Sequence, residues 1–342
     1  MRDTQFFVYL LVVLQYNILI KMAGAISGTA ITHSLKTKKR SLDTVTLTIN
    51  CVCNYKCPHC YLDYASNDKY INDNVIERLF ILDFNHLSVV GKEPFADSVS
   101  RGISKRLVEL CNQTNKTISF ITNGSNLGLL KDFDLEKIKF IDVSFDGGIQ
   151  SYKQYRGGNI QNILNNINLL HKKGLKEINA LHVLSERTIP YLDDMIELNS
   201  HFAFDKMMFS LYLDTNSINS RTEKTLTLQN VFQTLRNNDS FIKSPNVFLL
   251  LDKYNFLDES ELTVDNIEFY INKYELNDKV LLIKEDPIEY GFVRVTYNGF
   301  VLTPTDSLNT SEYNEKQIPI WDFSNDVFNE MVEETSNKNV LV

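Results

Sequence analysis

The sequence predicts an α/β protein whose core is a parallel sheet of about six β/α units. Over residues 42–215, two kinds of segment alternate along the chain. One kind alternates apolar and polar residues with a period of two, which is typical of strands, and the other has helical periodicity. Parallel strands joined by helices form right-handed crossovers, and about six units are too few for a closed eight-unit barrel. Polar residues cluster directly after several of these strands, which is where α/β proteins build their sites.

The first predicted strand runs to Cys51, with Val45, Leu47 and Ile49 on one face. A helix with an N-cap at Asp73 follows it. The remaining predicted elements, in chain order, are strand 86–90, helix 99–111, strand 117–121, helix 127–138, strand 140–145, helix 160–173, strand 178–184, helix 189–199 and strand 206–213.

Residues 216–342 depart from this alternation and predict a C-terminal extension of mixed α and β structure. Residues 215–290 favour helices, with an apolar stretch at 247–251 that is compatible with either a strand or a buried helix. Tyr297-Asn298-Gly299 separates two apolar runs, and Asn-Gly in that setting is a strong hairpin signal. Asp322 and Asn325 are candidate caps of a final helix.

Composition indicates a folded protein with one large domain or two ordinary ones. The chain has 342 residues, of which 43% are hydrophobic and 23% charged. The formal net charge of −8 argues against a nucleic-acid partner, because phosphate binding needs a basic face.

Three cysteines, Cys53, Cys57 and Cys60, follow the first strand with spacing C-x3-C-x2-C. Thiolates suit iron–sulfur clusters, zinc or copper(I). A cubane cluster usually takes four cysteines, so three favour a cluster with one open iron. Cys51 could complete a four-thiolate zinc site, but structural zinc sites usually draw on two separated pairs of ligands.

This spacing resembles that of the radical S-adenosylmethionine (SAM) superfamily. There, three cysteines hold a [4Fe-4S] cluster, and the open iron chelates SAM, whose reductive cleavage yields a 5′-deoxyadenosyl radical. The resemblance covers residues 42–215 and implies a partial (β/α)6 TIM-like barrel. It implies that Cys53, Cys57 and Cys60 are the metal ligands.

The strand ends carry further similarities to this family. Gly91-Lys92-Glu93-Pro94 resembles G-G-E-P, which receives the methionyl ammonium, although Lys92 replaces the second glycine. Thr122-Asn123-Gly124 resembles T-N-G, and the stretch from Ser144 to Gly147 resembles S-x-D-G. The cofactor contacts that the resemblance implies are His59, Tyr61, Gly91, Lys92, Glu93, Pro94, Thr122, Asn123, Ser144, Asp146 and Arg156.

The C-terminal hairpin loosely resembles the SPASM or twitch extension of peptide-modifying members, but no cysteine follows Cys111. This favours an enzyme that abstracts hydrogen from a ribosomally made peptide, leading to maturation, cross-linking or epimerisation. Its expected partners are a precursor peptide and a reductant such as flavodoxin or ferredoxin. Cys51 and Cys111 are candidate hydrogen donors, although buried structural thiols are common.

Two alternatives stay open at this point. One is a small-molecule or cofactor-biosynthesis member of the same family. The other is a non-catalytic scaffold that binds a cluster or zinc. The sequence leaves open whether SAM is consumed or recycled.

Residues 1–41 form an apolar and basic extension. The apolar run at 6–14 is shorter than the roughly 20 residues of a membrane-spanning helix. It resembles a signal-peptide core, but Asp3 cancels the only preceding cation, Arg2. Because an oxygen-sensitive cluster needs a reducing compartment, we expect a cytoplasmic protein with weak membrane association through this segment. Met22 is an alternative start.

Overall fold

The computed structural model describes residues 42–57, 60, 70–149, 151–202, 204–212, 226–252, 263–284, 291–302 and 318–339. The apolar run at residues 6–14 lies outside this part of the chain. Among the described helices, none is both long and apolar enough to cross a bilayer.

The first half of the chain alternates strands and helices, as predicted. The strands are β1 (Thr44–Thr48), β2 (His86–Val90), β3 (Thr117–Thr122), β4 (Ile138–Ser144), β5 (Ile178–Leu184) and β6 (Lys206–Leu211). The helices are α1 (Asp73–Leu79), α2 (Ser98–Gln113), α3 (Tyr152–Arg156), α4 (Ile160–Lys172) and α5 (Leu192–Phe202), with 3-10 turns at Leu127–Asp132 and Ile189–Tyr191.

The later elements contribute more strands than the sequence indicated. They are α6 (Leu228–Asn237), α7 (Asp239–Lys243), β7 (Val247–Asp252), α8 (Val264–Lys273), β8 (Val280–Ile283), β9 (Phe292–Val295), β10 (Phe300–Leu302), β11 (Ile318–Pro319) and α9 (Asn325–Asn339). The ambiguous stretch at 247–251 is therefore a strand, and β8 is a strand inside the region expected to be helical. Both are short, continuous apolar runs, which periodicity alone does not separate from buried helix.

The described strands form one sheet in the order β11-β10-β9-β1-β2-β3-β4-β5-β6-β7-β8. Neighbours from β1 through β8 are parallel, and β9 pairs in parallel with the other side of β1. β10 and β11 continue antiparallel. The order has two ends, so the described sheet is an open, partial barrel, as predicted.

Local chemistry corrects four predicted boundaries. Residues 127–138 do not form a long helix, because the chain makes one 3-10 turn and then enters β4 at Ile138. Pro190 lies in a 3-10 turn, and the α-helix begins only at Leu192. Asn72 rather than Asp73 caps α1, by accepting a hydrogen bond from the Asn74 amide at 2.8 Å.

The fourth correction concerns the final helix. The Ser324 hydroxyl accepts a hydrogen bond from the Val327 amide at 3.2 Å. Neither Asp322 nor Asn325 has this role: the Asn325 side chain instead bonds the backbone of Asp83, accepting from its N–H at 2.9 Å and donating to its carbonyl at 2.8 Å. The hairpin prediction is confirmed, with Gly299 at φ +84° in the turn between β9 and β10.

The two faces of the sheet differ in chemistry. Residues of one parity, such as Val45, Leu47 and Val143, join the buried helix residues in a single hydrophobic core. The opposite parity carries buried polar side chains, which are Thr46, Thr48, His86, Ser88, Ser119, Asp142, Asn179 and Arg294. Because carboxyl ends of parallel strands meet at one edge, the loops after β1 to β5 converge there.

Candidate active site at the carboxyl ends of the strands

The three cysteines lie on the loop that follows β1, and all are partly buried. The Tyr55 amide donates to Cys53 Sγ at 3.3 Å, and the Cys60 amide donates to the Cys57 carbonyl at 3.1 Å. Burial raises the pKa of the Cys53 thiol, and it raises the pKa of Cys57 to about 11. The nearby Arg156 guanidinium lowers the pKa of Cys57, so it partly offsets the cost of a thiolate there.

The three thiols are a donor set that suits an iron–sulfur cluster. The thiol groups of Cys53, Cys57 and Cys60 are close enough to interact electrostatically. Within the described residues, no three His, Cys, Asp or Glu side chains are grouped around a point where one ion could sit. In a cubane each thiolate binds a different iron. Iron would displace the thiol protons on binding.

Glu93 is fully buried and holds the loop after β3. Its Oε1 accepts hydrogen bonds from the Thr122 hydroxyl at 2.7 Å and from the Phe95 amide at 3.0 Å. Its Oε2 accepts from the Asn123 amide at 2.6 Å. Burial raises the pKa of Glu93 to about 7, although these donors favour the charged form. Glu93 therefore joins the predicted second and third strand-end motifs.

Asn50, two residues after the end of β1, binds the backbone of the second strand-end motif, Gly91-Lys92-Glu93-Pro94. Its Nδ2 donates to the Glu93 carbonyl at 2.8 Å, and its Oδ1 accepts from the Lys92 amide at 3.0 Å. A Cβ at Gly91 would lie 2.5 Å from Asn50 Oδ1, so this position needs glycine. Lys92, where the family pattern has a second glycine, is only partly buried.

Asn123 connects the third motif to the cysteine loop. Its Nδ2 lies 3.6 Å from Cys53 Sγ and 2.9 Å from Asn54 Oδ1, and donates to both. The Asn54 side chain in turn donates to the Ser125 hydroxyl at 2.9 Å. Two loops that are far apart in sequence are therefore hydrogen-bonded beside a predicted metal ligand.

Asp146 and Arg156 form a buried ion pair at 2.5 Å, with side chains 1% and 10% exposed. The other oxygen of Asp146 accepts from the Val183 amide at 2.7 Å, which ties the end of β4 to β5. The Arg156 carbonyl lies 3.9 Å from Cys57 Sγ and accepts a hydrogen bond from it. The pair thus places a positive charge beside the cysteine loop.

Two further polar side chains of β4 lie on the same face. Ser144 is partly buried at the end of the strand. Asp142 lies deeper, fully buried, and its Oδ1 accepts from Asn179 Nδ2 at 2.9 Å. Asp142 Oδ2 has no hydrogen-bond partner within the described residues, and burial raises the pKa of this carboxyl to about 8.

The structure brings most predicted site residues to one edge of the sheet, which are Cys53, Cys57, Cys60, Gly91, Lys92, Glu93, Pro94, Thr122, Asn123, Ser144, Asp146 and Arg156. His59 and Tyr61 lie outside the described residues. Cys51 is partly buried at the start of the loop. Cys111 is different: it is buried in the core near the end of α2, whose C-terminus leads into the start of β3 at the opposite edge.

Sequence reasoning missed the supporting residues Asn50, Asn54 and Tyr152. The Tyr152 hydroxyl donates to the Asn123 carbonyl at 3.4 Å. Asn50 continues the polar parity of the first strand. This parity could have identified Asn50 from the sequence, because it faces the other motifs. Nothing in the sequence indicates that Asn54 or Tyr152 reaches Asn123, since those contacts span 69 and 29 positions.

The loops at this edge of the sheet also enclose a cavity of about 260 Å³. It lies between α3 and the turns that follow β5, and it is lined by Ser151, Tyr155, Glu186, Arg187, Pro190 and Tyr191. The Arg187 guanidinium stands 5.6 Å from the ring centre of Tyr155. Aromatic, charged and small polar groups therefore meet at the edge where the strands end.

Comparison with known proteins agrees with this geometry. The model of the radical SAM superfamily matches residues 47–199. A probable GTP 3′,8-cyclase of Methanococcus aeolicus is 27% identical over 169 residues, which cover 46% of this chain and 56% of the cyclase. The chain thus matches little more than half the length of that curated relative.

Solved structures share the fold over most of the chain at low sequence identity. SuiB of Streptococcus suis, bound to its precursor peptide SuiA, has a TM-score of 0.56 at 12% identity, covering 95% of this chain and 81% of SuiB. The enzyme anSMEcpe, bound to AdoMet and the Kp18Cys peptide, has a TM-score of 0.55 at 16% identity, covering 84% of this chain and 82% of its own.

The superfamily uses a [4Fe-4S] cluster and SAM, and the donor set on the β1 loop fits such a cluster. The match begins inside β1 and extends into α5, so it contains the cysteine loop and the four strand ends that follow it. Residues 47–199 therefore match the radical SAM superfamily, and the matched segment contains the cysteine loop.

Proposed function

We propose that this protein is a radical SAM enzyme that modifies a ribosomally made precursor peptide by abstracting hydrogen from a side chain or a Cα. The observation that carries the proposal is the extent of the likeness to SuiB, which covers 95% of this chain, including the C-terminal extension. SuiB and anSMEcpe were solved with peptides bound. A likeness confined to the barrel would not favour peptides over small molecules.

The site residues have different roles in binding the cluster and SAM. Cys53, Cys57 and Cys60 hold a [4Fe-4S] cluster, which together with SAM supplies a 5′-deoxyadenosyl radical when both are bound. The strand ends around Lys92 and Ser144 would contact SAM. Asp146 fixes the orientation of Arg156, and the guanidinium balances negative charge at the thiolate of Cys57.

The cavity beside α3 is suited to a peptide side chain. Its volume of about 260 Å³ is on the scale of a few side chains, and Tyr191 at its rim is 37% exposed. Aromatic side chains give large contact areas at low entropic cost. The cavity therefore offers a place where a segment of substrate could be held at the edge where the strands end.

A small-molecule substrate is the second candidate. Its support is the 27% identity to a probable GTP 3′,8-cyclase. That alignment covers 46% of the chain. The third candidate is a non-catalytic cluster- or zinc-binding scaffold.

The first experiment tests radical chemistry. Protein reconstituted anaerobically with iron and sulfide is mixed with dithionite and SAM, and 5′-deoxyadenosine is measured by mass spectrometry. We expect product from the wild type and from Cys51→Ser, and none from Cys53→Ala, Cys57→Ala or Cys60→Ala. A cluster-loaded wild type that neither binds SAM nor forms product would favour the non-catalytic scaffold.

The second experiment separates the substrate classes. Short peptides encoded beside the gene are co-expressed with the enzyme and analysed by mass spectrometry. Cross-linking removes two hydrogens, and epimerisation in D₂O introduces one deuterium at Cα. Unchanged peptides, together with GTP-dependent formation of 5′-deoxyadenosine, would contradict the peptide proposal and support the small-molecule candidate.

A further inference from the structure

We propose that the Asn123 side chain donates a hydrogen bond to the cluster thiolate of Cys53 and thereby raises the reduction potential of the cluster. The inference rests on the proposed ligation of the cluster by Cys53, Cys57 and Cys60. It assigns Asn123 a positioning role toward the metal centre, distinct from the contact with SAM that its T-N-G motif implies.

The hydrogen bonds of Asn123 define which end of its amide faces the sulfur. The Oδ1 atom accepts a hydrogen bond from the Ser125 amide at 2.8 Å, and an N–H group pairs only with an acceptor. The Nδ2 atom must then point the other way, toward Asn54 Oδ1 at 2.9 Å and Cys53 Sγ at 3.6 Å. Its two hydrogens serve these two acceptors.

The donor is held rigidly. Glu93 accepts from the Asn123 amide at 2.6 Å, and the Tyr152 hydroxyl donates to the Asn123 carbonyl at 3.4 Å. Gly124 follows at φ +78°, where a Cβ would lie 2.9 Å from a methyl group of Val143. The backbone on both sides of the side chain is therefore fixed by buried contacts, so the donor cannot turn away at low cost.

The physical consequence concerns the electron that the cluster accepts. Reduction adds one negative charge, which is shared with the thiolate sulfurs. An N–H dipole that points at a sulfur stabilises the reduced form more than the oxidised form, and hydrogen bonds to sulfur are known to set cluster potentials. The Tyr55 amide also donates to Cys53, at 3.3 Å, but Asn123 is a side-chain donor that substitution can remove.

The test is a redox titration of the reconstituted full-length enzyme, followed by EPR of the reduced cluster. The variants are Asn123→Ala, and Asn123→Asp, which keeps the acceptor for Ser125 but has no N–H. Asn54→Ala is the matched control, because it removes the other partner of Asn123 and leaves the donor. We expect a roughly tenfold lower ratio of reduced to oxidised cluster at a fixed potential in Asn123→Ala, which is about 59 mV for one electron, and a larger decrease in Asn123→Asp, whose carboxylate also adds negative charge beside Cys53.

The outcomes are separable. If the wild type fails to bind iron and sulfide, the proposed function itself fails. If the Asn123 variants load fully and titrate like the wild type, or if Asn54→Ala shifts as much as they do, the inference is overturned.

If the Asn123 variants do not bind iron and sulfide, a measurement on the wild type tests the hydrogen bond instead. Asparagine labelled with ¹⁵N in the side-chain amide is incorporated, and the reduced cluster is examined by pulsed EPR. A ¹⁵N coupling to the cluster that persists in Asn54→Ala supports the hydrogen bond from Asn123. The backbone donor of Tyr55 carries no label, so a missing coupling overturns the inference.

Discussion

At the scale of single residues, the buried Asp146–Arg156 pair shows how charge is handled beside the cysteine loop. Both side chains are almost completely buried, and each serves a second purpose: Asp146 accepts from the Val183 amide, and Arg156 lowers the pKa of Cys57. Removing one partner of such a pair leaves a charge without compensation, which costs far more than the net stability of the pair.

We therefore expect Arg156→Met to lower the free energy of unfolding by about 3 kcal/mol or more. The double variant Arg156→Met/Asp146→Asn should recover part of this loss, because no unpaired carboxylate remains. Urea denaturation of the wild type, both single variants and the double variant gives the coupling energy. A double variant that loses the sum of the two single losses would show that the pair is not coupled.

Asp142 makes the stability of the protein depend on pH. Its pKa is about 8 in the folded state against 3.8 for the exposed group, so the folded state binds the proton more tightly. The stability it contributes is complete below about pH 4 and is lost as the pH rises toward 8. Asp142→Asn mimics the neutral form, so the variant should gain stability relative to the wild type across this range.

Urea midpoints measured from pH 5.5 to 8.5 test this expectation. The difference between wild type and Asp142→Asn isolates Asp142 from Glu93, whose raised pKa acts in the same direction. Asp134→Asn, at an exposed position, is the control. If the two variants show the same dependence on pH, Asp142 is not the source.

At the scale of elements, α1 is fastened to the C-terminal part of the chain by one side chain. Arg78, in the last turn of α1, donates to the carbonyls of Ile320 at 3.1 Å, Trp321 at 3.2 Å and Phe323 at 2.9 Å. These contacts span more than 240 positions, and they join the segment between β11 and α9 to the first helix after the cysteine loop.

Arg78→Met keeps the apolar stem of the side chain and removes all three hydrogen bonds. We expect it to lower the free energy of unfolding by about 1–3 kcal/mol, because hydrogen bonds from a charged group to carbonyls are among the stronger ones. Arg106→Met is the matched control, since Arg106 pairs with Asp73 and Glu77 at the surface, where such pairs contribute about 1 kcal/mol or less. Equal losses in urea denaturation would contradict the assignment.

At the scale of the whole molecule, the strands of the C-terminal extension belong to the same sheet as the barrel. β9 pairs in parallel with β1, which leads directly into the cysteine loop, and β7 and β8 continue the sheet from β6. That the barrel and the extension, divided at residue 215, have separate functions stays a prediction. Within the described residues it does not divide the sheet.

Val293→Asp tests whether this sheet unfolds as one unit. Val293 is completely buried in β9 opposite Val45 of β1, so a carboxylate there should cost about 3 kcal/mol or more and reduce the iron bound after reconstitution. We expect a single unfolding transition at lower urea. Val99→Asp, at an exposed position in the first turn of α2, should be close to neutral. Two separate transitions, with unchanged iron binding, would indicate an independent extension.

The sequence by itself determined the alternation of strands and helices, the hairpin at Asn298-Gly299 and the placement of the cysteine loop, because these depend on periodicity and on short-range turn chemistry. It also indicated which strand ends carry polar motifs. Only the tertiary structure decided that Glu93 holds Asn123, that Asn123 reaches Cys53, and that Asp146 pairs with Arg156. It likewise decided that β9 lies beside β1 rather than in a separate unit. The reason is that these contacts join segments brought together by sheet order, and a pattern along the chain records which face a residue occupies but not which distant residue lies opposite it.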